Sequence, residues 1–435
     1  MKAVILDGSQ ADDNTGRRIY EALASQLLAR GWQVEHFILR EKKIGNCAGD
    51  FFCWIRTPGM CNVKDDNLAI AEALATSDMM VYMSPITFGG YSSTLKRMID
   101  HQIQNVSPFF AKVNGETHHK KRYQKNPDLL ALGWLEQADA QSERIFRHLV
   151  QRNALNWHAE RYVGDVVLAS QSDEELQAAA QGWLSALQSG QNSPSVTLPA
   201  ATVAVNCEVD VRRALLLVGS PKTRKSTSNS LGGYMFEHLQ QQGVQTETVY
   251  LHTVLRSPAR WQALIEALDT ADLVTLAFPL YVDTLPAPVT EALERIAIHR
   301  QGRQARPQLF TAIANCGFPE AYQTATALAI CQTFAEQAGF VWAGSLALGA
   351  GEAVNGKPLA EAGGMAIRIR QSLELATEAL AQGQAIPLAA RDMMAKPIIP
   401  HWAYRLTGKL RWNSWAKRHN AKKLLKRQPY LAQVR

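Results

Sequence analysis

Short apolar runs rich in Val, Ile and Leu alternate with longer stretches in which apolar residues return every three or four positions. Runs of four to eight such residues suit strands buried on both faces, and the intervening period suits amphipathic helices. In the first half the runs fall at 3–6, 34–39, 79–83, 129–132 and 162–169; in the second they fall at 214–218, 246–251, 273–278, 309–314 and 341–348. Each half therefore predicts strand, helix, strand in strict succession, which requires a parallel sheet covered by helices on both faces. The expected fold is α/β, with two tandem doubly wound parallel five-stranded sheets.

The halves repeat one another. The segment Ala3 to Ser9 matches Ala214 to Ser220 at an offset of 211, and Gly31 to Leu39 matches Gly243 to Leu251 at 212. A third block, Ala73 to Pro85, matches Ala267 to Pro279 at 194, so about eighteen extra residues stand between the second and third blocks of the first half. They fall in 44–62, which holds three of the six cysteines. Residues 189–211, with Asn-Ser-Pro-Ser and Leu-Pro-Ala-Ala-Thr, show no helical period and read as a linker. The expected domains are 1–189, with the cysteine insertion, and 212–390, joined by a linker over 190–211 and followed by a tail over 391–435.

Composition changes this picture little. A chain of 435 residues, 46% hydrophobic and 20% charged, has the make-up of a globular enzyme of two domains. The apolar segment 3–6 is too short for a secretory signal, which predicts a cytoplasmic protein whose cysteines are thiols or ligands. Charge is more informative. Residues 391–435 hold twelve Lys and Arg against Asp392 alone, so the tail carries +11 of a total of +7 and the body is mildly acidic. That distribution is not a nucleic-acid footprint. Within the tail, Trp402, Leu406 and Leu410 stand at helical spacing with Trp412 and Trp415 nearby, a cationic amphipathic helix that either packs on its own body or meets a membrane surface or an acidic partner.

In a doubly wound sheet, ligands sit beyond the carboxyl ends of the strands. After the first strand of the second half, Gly219, Ser220, Lys222, Ser226, Ser228 and Asn229 lead into a helix and offer hydroxyls, N–H groups and a helix dipole to a phosphate. The matching loop of the first half, Gly8 to Thr15, holds Ser9, Asn14 and Thr15 but also Asp12 and Asp13, which oppose an anion. Gly349-Ala-Gly351 lacks the third glycine of a dinucleotide loop. Residues 115–125, with His118 and His119, read as a solvated lid.

After the third strand, Pro85, Ile86, Thr87, Phe88, Gly89, Tyr91 and Ser92 bring together two rings, bare backbone and hydroxyls, and Lys96 and Asp100 follow on a helix. With Gly8-Ser9 and the segment from Cys47 through Cys53 to Cys61, this resembles the NAD(P)H-dependent FMN reductases among flavodoxin-like proteins, and also iron–sulfur flavoproteins. The second half, through Pro279, Leu280, Tyr281, Asp283, Pro286, Cys316 and Gly317, is similar to flavodoxin-family NAD(P)H-dependent oxidoreductases.

The resemblance implies an FMN-containing oxidoreductase passing electrons from NAD(P)H to a small acceptor such as a quinone or free flavin. Ser9, Asn14 and Thr15 would hold the FMN phosphate in the first half, with Pro85 to Ser92 along the ring. Ser220, Lys222, Ser226, Ser228 and Asn229 would do so in the second, with Pro279, Leu280, Tyr281, Asp283, Cys316 and Gly317 beside the ring. Either half or both would be filled, in a pseudo-dimer within the chain or a homodimer. An electron-transfer module without turnover and a flavin-less scaffold are the alternatives. Iron–sulfur flavoproteins resemble Cys-x-x-Cys-x-x-Cys plus a fourth cysteine, but here Asp50 stands in the second place; Cys47, Cys53 and Cys61 are left as weak candidates for a cluster, and none is expected.

Overall fold

The computed structural model describes residues 1–199, 209–303 and 306–431. The chain divides into two compact units, 1–197 with 402–435, and 198–401. The first unit runs β1 (Lys2–Asp7), α1 (Asn14–Ala29), β2 (Gln33–Ile38), α2 (Phe52–Ile55), α3 (Asn67–Ala75), β3 (Met79–Thr87), β4 (Gly90–Tyr91), α4 (Ser93–His101), β5 (Val106–Val113), β6 (Glu116–Lys121), β7 (Asp128–Leu135), α5 (Ala140–Trp157), β8 (Tyr162–Leu168) and α6 (Asp173–Ser189). Its sheet has the order β2-β1-β3-β7-β8, all parallel, with the two-residue β4 folded back antiparallel on the end of β3. That order puts the strand-order reversal between β1 and β3, as in flavodoxin.

Alternate residues of the buried strands serve opposite faces. On one face Ile5, Val81, Leu130 and Leu132 pack against Leu23 and Leu27 of α1 and Trp183, Leu184 and Leu187 of α6. Val4, Leu6, Met80 and Tyr82, which point the other way, are also buried. Each such side chain contributes about 1.5–3 kcal/mol, so burial on both faces, rather than helix propensity, holds the unit together. The helices are bounded locally. Asp13 caps α1, and Ser172 and Glu175 form a reciprocal cap on α6.

The second unit runs β9 (Arg213–Val218), α7 (Thr227–Gln241), β10 (Gln245–Tyr250), α8 (Leu251–Val254), α9 (Pro258–Thr270), β11 (Leu273–Pro279), α10 (Ala287–Arg300), β12 (Leu309–Asn315), α11 (Ala325–Gln337), β13 (Val341–Leu348), α12 (Ile367–Ala381) and α13 (Leu388–Ala395). Its parallel order β10-β9-β11-β12-β13 repeats that of the first unit. Of the residues expected as linker, 200–208 lie outside the described residues, as does Cys207, while Val209 and Val211 join the second core.

Two features differ from expectation. Residues 115–125 are not a solvated lid: β5 and β6 form an antiparallel hairpin in which Glu116, Thr117 and His118 are buried. The hairpin fills the connection between α4 and β7; the described residues between α10 and β12 of the second unit form none. The tail forms α14 (His401–Arg418), which turns Tyr404, Trp412 and Ala416 inward, whereas the expected stripe of Trp402, Leu406 and Leu410 is exposed. Inward packing selects a different face because Trp412 stands edge-on to Phe51 and Trp54, at ring distances of 5.3 and 5.2 Å. Beyond the helix, Arg122 donates to the carbonyls of Leu425 and Arg427, at 3.3 and 2.8 Å, and Pro429 lies against Gly59.

Candidate functional site

The loops at the carboxyl ends of β1, β3 and β7 converge in the first unit, and those of β9, β11 and β12 converge in the second. In the first unit Ser92 caps α4 and donates to the Gly8 carbonyl at 3.0 Å, which ties the β3 loop to the β1 loop. Gly8 is required there, because a Cβ would stand 2.6 Å from that of Leu95. Ser9 and Thr15 are buried, and Asn14 is exposed and bonded to Arg17. Pro85, Ile86 and Thr87 are half-buried, whereas Phe88, Gly89 and Tyr91 are buried, with the Tyr91 hydroxyl donating to Asn153.

Three side chains stand at the α1 end of this crevice. Asp13 accepts from the Gly16 N–H at 2.9 Å and, with its other oxygen, from the indole N–H of Trp134 at 2.9 Å. Trp134, at the end of β7, lies against Gly16. The third is Asp7. Burial pushes its carboxyl up, but hydrogen bonds from His36 and Ser9 override this and hold it below the ordinary range. The helix N-terminus already has an anion of its own, and a second one stands beside it. The β3 and β7 segments pack closely: side chains of Ile86 and Phe146 lie 2.7 and 2.8 Å from where a Cβ on Gly133 would be, and Ile145 lies 2.7 Å from that of Gly89. A pocket of about 500 Å³ opens along the β1 loop, lined by Ser9 and Asn14 with Asp7, Asp12 and Asp13 and by Arg17, His36 and Arg40.

The second unit exchanges all three groups. Val218 ends β9 where Asp7 ends β1, Ser226 caps α7 where Asp13 caps α1, and Asn315 pairs with Pro279 where Trp134 pairs with Pro85. Ser226 accepts from the Asn229 N–H at 3.1 Å, and the Asn315 amide donates to Ser228 at 2.9 Å. Ser220 accepts from the Lys222 N–H at 3.3 Å, and Asn229 accepts from the Tyr250 hydroxyl at 2.9 Å. Ser220, Lys222, Ser226, Ser228 and Asn229 are thus brought into one turn, with Lys222, Arg224 and Lys225 exposed along it. A neutral cap, a helix dipole and three cations are the donor set that a phosphate monoester requires.

The β11 loop is a tight turn. The amides of Tyr281 and Thr284 exchange bonds with each other's carbonyls at 2.9 and 3.1 Å, and Val282 and Asp283 between them both have positive φ, 41° and 64°. Asp283 is buried in this turn, and Pro279, Leu280 and Tyr281 are half-buried. The Leu280 N–H donates to the Asn315 carbonyl at 2.8 Å, which joins the β11 and β12 loops. Cys316 is buried, and burial, reinforced by Glu320, pushes its thiol up to about 12, so it stays protonated. Gly317 is exposed with open space beside it; Phe318, next in the chain, is half-buried, and Tyr322, five positions on, is exposed.

Sequence reasoning did not single out Tyr322, and it quoted Asn315, Thr227 and Phe318 within the second-half motifs without giving them a role. Asn315 had a signal, as the one strong polar residue closing an otherwise apolar strand. Thr227 donates to the Gly351 carbonyl at 2.8 Å, and a Cβ on Gly356 would meet the Lys225 carbonyl at 2.5 Å. The glycines after β13 therefore let that segment close on the turn between β9 and α7, a packing role rather than a dinucleotide motif.

Cys47, Cys53 and Cys61 are free and half-buried within one loop, and burial raises all three thiols, with Cys47 reaching about 12. Asp50, in the place of a missing thiolate, accepts the Phe52 N–H at 2.9 Å. Three cysteines and a carboxylate already engaged with a backbone N–H fall one thiolate short of the four that a four-iron cluster takes.

Residues 1–117 and 212–349, more than half of the chain, match the family described as NADPH-dependent FMN reductase. An iron–sulfur flavoprotein of Methanocaldococcus jannaschii is 31% identical over 101 residues, which are 23% of this chain and 51% of that protein. One from Archaeoglobus fulgidus is 29% identical over 100 residues, 23% of this chain and 48% of its own. The chain thus spans about half the length of the curated relatives it matches. Among solved structures, an NAD(P)H:quinone oxidoreductase from Methanothermobacter marburgensis is 16% identical, covering 38% of this chain and 96% of that one, with a TM-score of 0.28. An NADH:FMN oxidoreductase in its apo form is 18% identical, covering 41% and 94%, with a TM-score of 0.30. With its two matched segments falling on the two repeated sheets, the chain belongs to the NADPH-dependent FMN reductase family.

Proposed function

We propose that the chain is an NAD(P)H-dependent flavin oxidoreductase that holds FMN in its second unit and passes electrons from a nicotinamide nucleotide to a small acceptor such as a quinone or free flavin. The observation that carries the assignment to the second unit is the exchange of Asp7, Asp13 and Trp134 for Val218, Ser226 and Asn315. Carboxylates at a helix N-terminus satisfy the dipole and repel a phosphate, whereas a hydroxyl cap leaves the dipole for the ligand.

In this reading the turn from Ser220 to Asn229 binds the phosphate, with Lys222 and the α7 dipole supplying positive charge. Tyr281, Phe318 and Tyr322 flank the ring, and the bare backbone at Gly317 leaves it room. Bound FMN would supply the redox chemistry, accepting hydride and releasing electrons onward. The chain's own residues orient and exclude water, and with the Cys316 thiol protonated no side chain is required as nucleophile or base.

Heat-released flavin should measure about one FMN per chain. Ser226→Asp keeps a good helix cap but adds a like charge, and should weaken flavin binding at least tenfold, while Asp13→Ser leaves flavin content unchanged. Loss of flavin from Asp13→Ser with retention in Ser226→Asp would transfer the site to the first unit. Oxidation of NADH and NADPH with a quinone or free flavin then separates an enzyme from an electron-transfer module, which would bind FMN without turnover. Colourless protein would leave only the scaffold alternative.

A further inference from the structure

We infer that the outward face of α14 docks this protein on an anionic membrane surface. The helix is two-sided, and the observations come from both sides. Its inner face is committed to the first unit, with Tyr404 stacked on Phe110 at 5.2 Å and Trp412 on Phe51 and Trp54. On the outer face Trp402, Leu406 and Leu410, successive at four-residue spacing, are 67%, 54% and 63% exposed. Single exposed apolar residues need no explanation, but three in register on a rigidly seated helix form a stripe.

The charge around the stripe indicates what covers it. Residues 393–435 contain no acid. Lys409 and Lys417, three positions after Leu406 and seven after Leu410, are exposed on the same side of the helix, and Arg418, Lys422, Lys423, Lys426 and Arg427 are exposed beyond its end. An apolar stripe led by Trp and set in unbroken positive charge is complementary to an interface of acyl chains and anionic headgroups, where Trp is favoured and each Lys or Arg adds roughly fivefold in partitioning. An acidic protein would require the cations but not the apolar stripe. No helix of the described residues is long and apolar enough to cross a membrane, so the contact is peripheral.

The test is flotation of the full-length protein with phosphatidylcholine vesicles with and without phosphatidylglycerol. Binding should require the anionic lipid, weaken with salt and shift tryptophan fluorescence to shorter wavelength. Leu406→Glu/Leu410→Glu should reduce it at least tenfold, and Lys422→Ala/Lys423→Ala should reduce it severalfold, with circular dichroism and the calorimetric transition of the first unit unchanged in both as the check on folding. The inference is overturned by equal binding to neutral vesicles, by no binding, or by variants that bind as the parent does. It is equally overturned if polyglutamate binds and vesicles do not, or if the parent is a dimer that Leu406→Glu/Leu410→Glu dissociates, since the stripe would then be covered by a second copy. None of these outcomes bears on the flavin reading.

Discussion

Val282 is β-branched and yet holds a φ of 41° in the turn after β11, with Asp283 at 64° beside it; the corresponding turn after β3 places Phe88 at 53° and Gly89 at 87°. Both units therefore spend conformational energy at the same point beyond the third strand of the sheet. A left-handed conformation costs an ordinary residue about 1–2 kcal/mol, and such strain persists where surrounding structure imposes it, commonly at ligand sites. Val282→Asn, which relieves it, should stabilise the second unit by about 1 kcal/mol, or about 2–4 °C in calorimetry. The same scale governs Asp13. Because it both caps α1 and accepts the indole N–H of Trp134, Asp13→Ala leaves a buried donor without its acceptor and should cost the first unit about 1–3 kcal/mol by denaturant titration. The polar residues in the β1 loop were evident in the sequence. Which of them face inward, and that Trp134 from a strand 121 positions away would complete the loop, was not, because a contact at that separation leaves no local pattern.

Among elements, the β5–β6 hairpin connects the sheet to the cysteine loop and to the tail. His119 lies tilted against Trp54 at 4.5 Å and Phe110 at 5.1 Å, and Trp54 meets Trp412 of α14. Burial lowers the His119 ring to about 3, against about 6.5 in an unfolded chain. The group is neutral when folded, so its contribution to stability is complete above about pH 6.5 and is lost as the pH falls towards 3, where the unfolded chain binds a proton that the native hairpin refuses. Urea midpoints of the first unit should therefore fall across that window, and His119→Phe should flatten the slope. No such element was read from the sequence: Lys, His and Arg between 117 and 125 look solvated in a chain where neighbours are unknown, and only the tertiary fold buries His118 between Glu116 and Asn156 and sets His119 against aromatic rings.

For the whole molecule, the chain leaves the first unit near Thr197 and re-enters it at Trp402. Removing residues 402–435 uncovers Phe51, Trp54 and Arg122, and calorimetry should show the transition of the first unit lowered while that of the second is preserved. The parallel sheets, the duplication and a polar turn ahead of a helix in the second half were legible in the sequence, because each rests on local signals: strand-length apolar runs, a repeated spacing, and hydroxyl and cationic residues after a strand. Three decisions belonged to tertiary structure alone. It set Asp7, Asp13 and Trp134 into the first crevice and Asn315 into the second, turned Trp412 rather than Leu406 inward, and buried the hairpin. Periodicity tells which residues must leave water, but when more than one face of an element is apolar, only the shape of what lies opposite decides which face is buried.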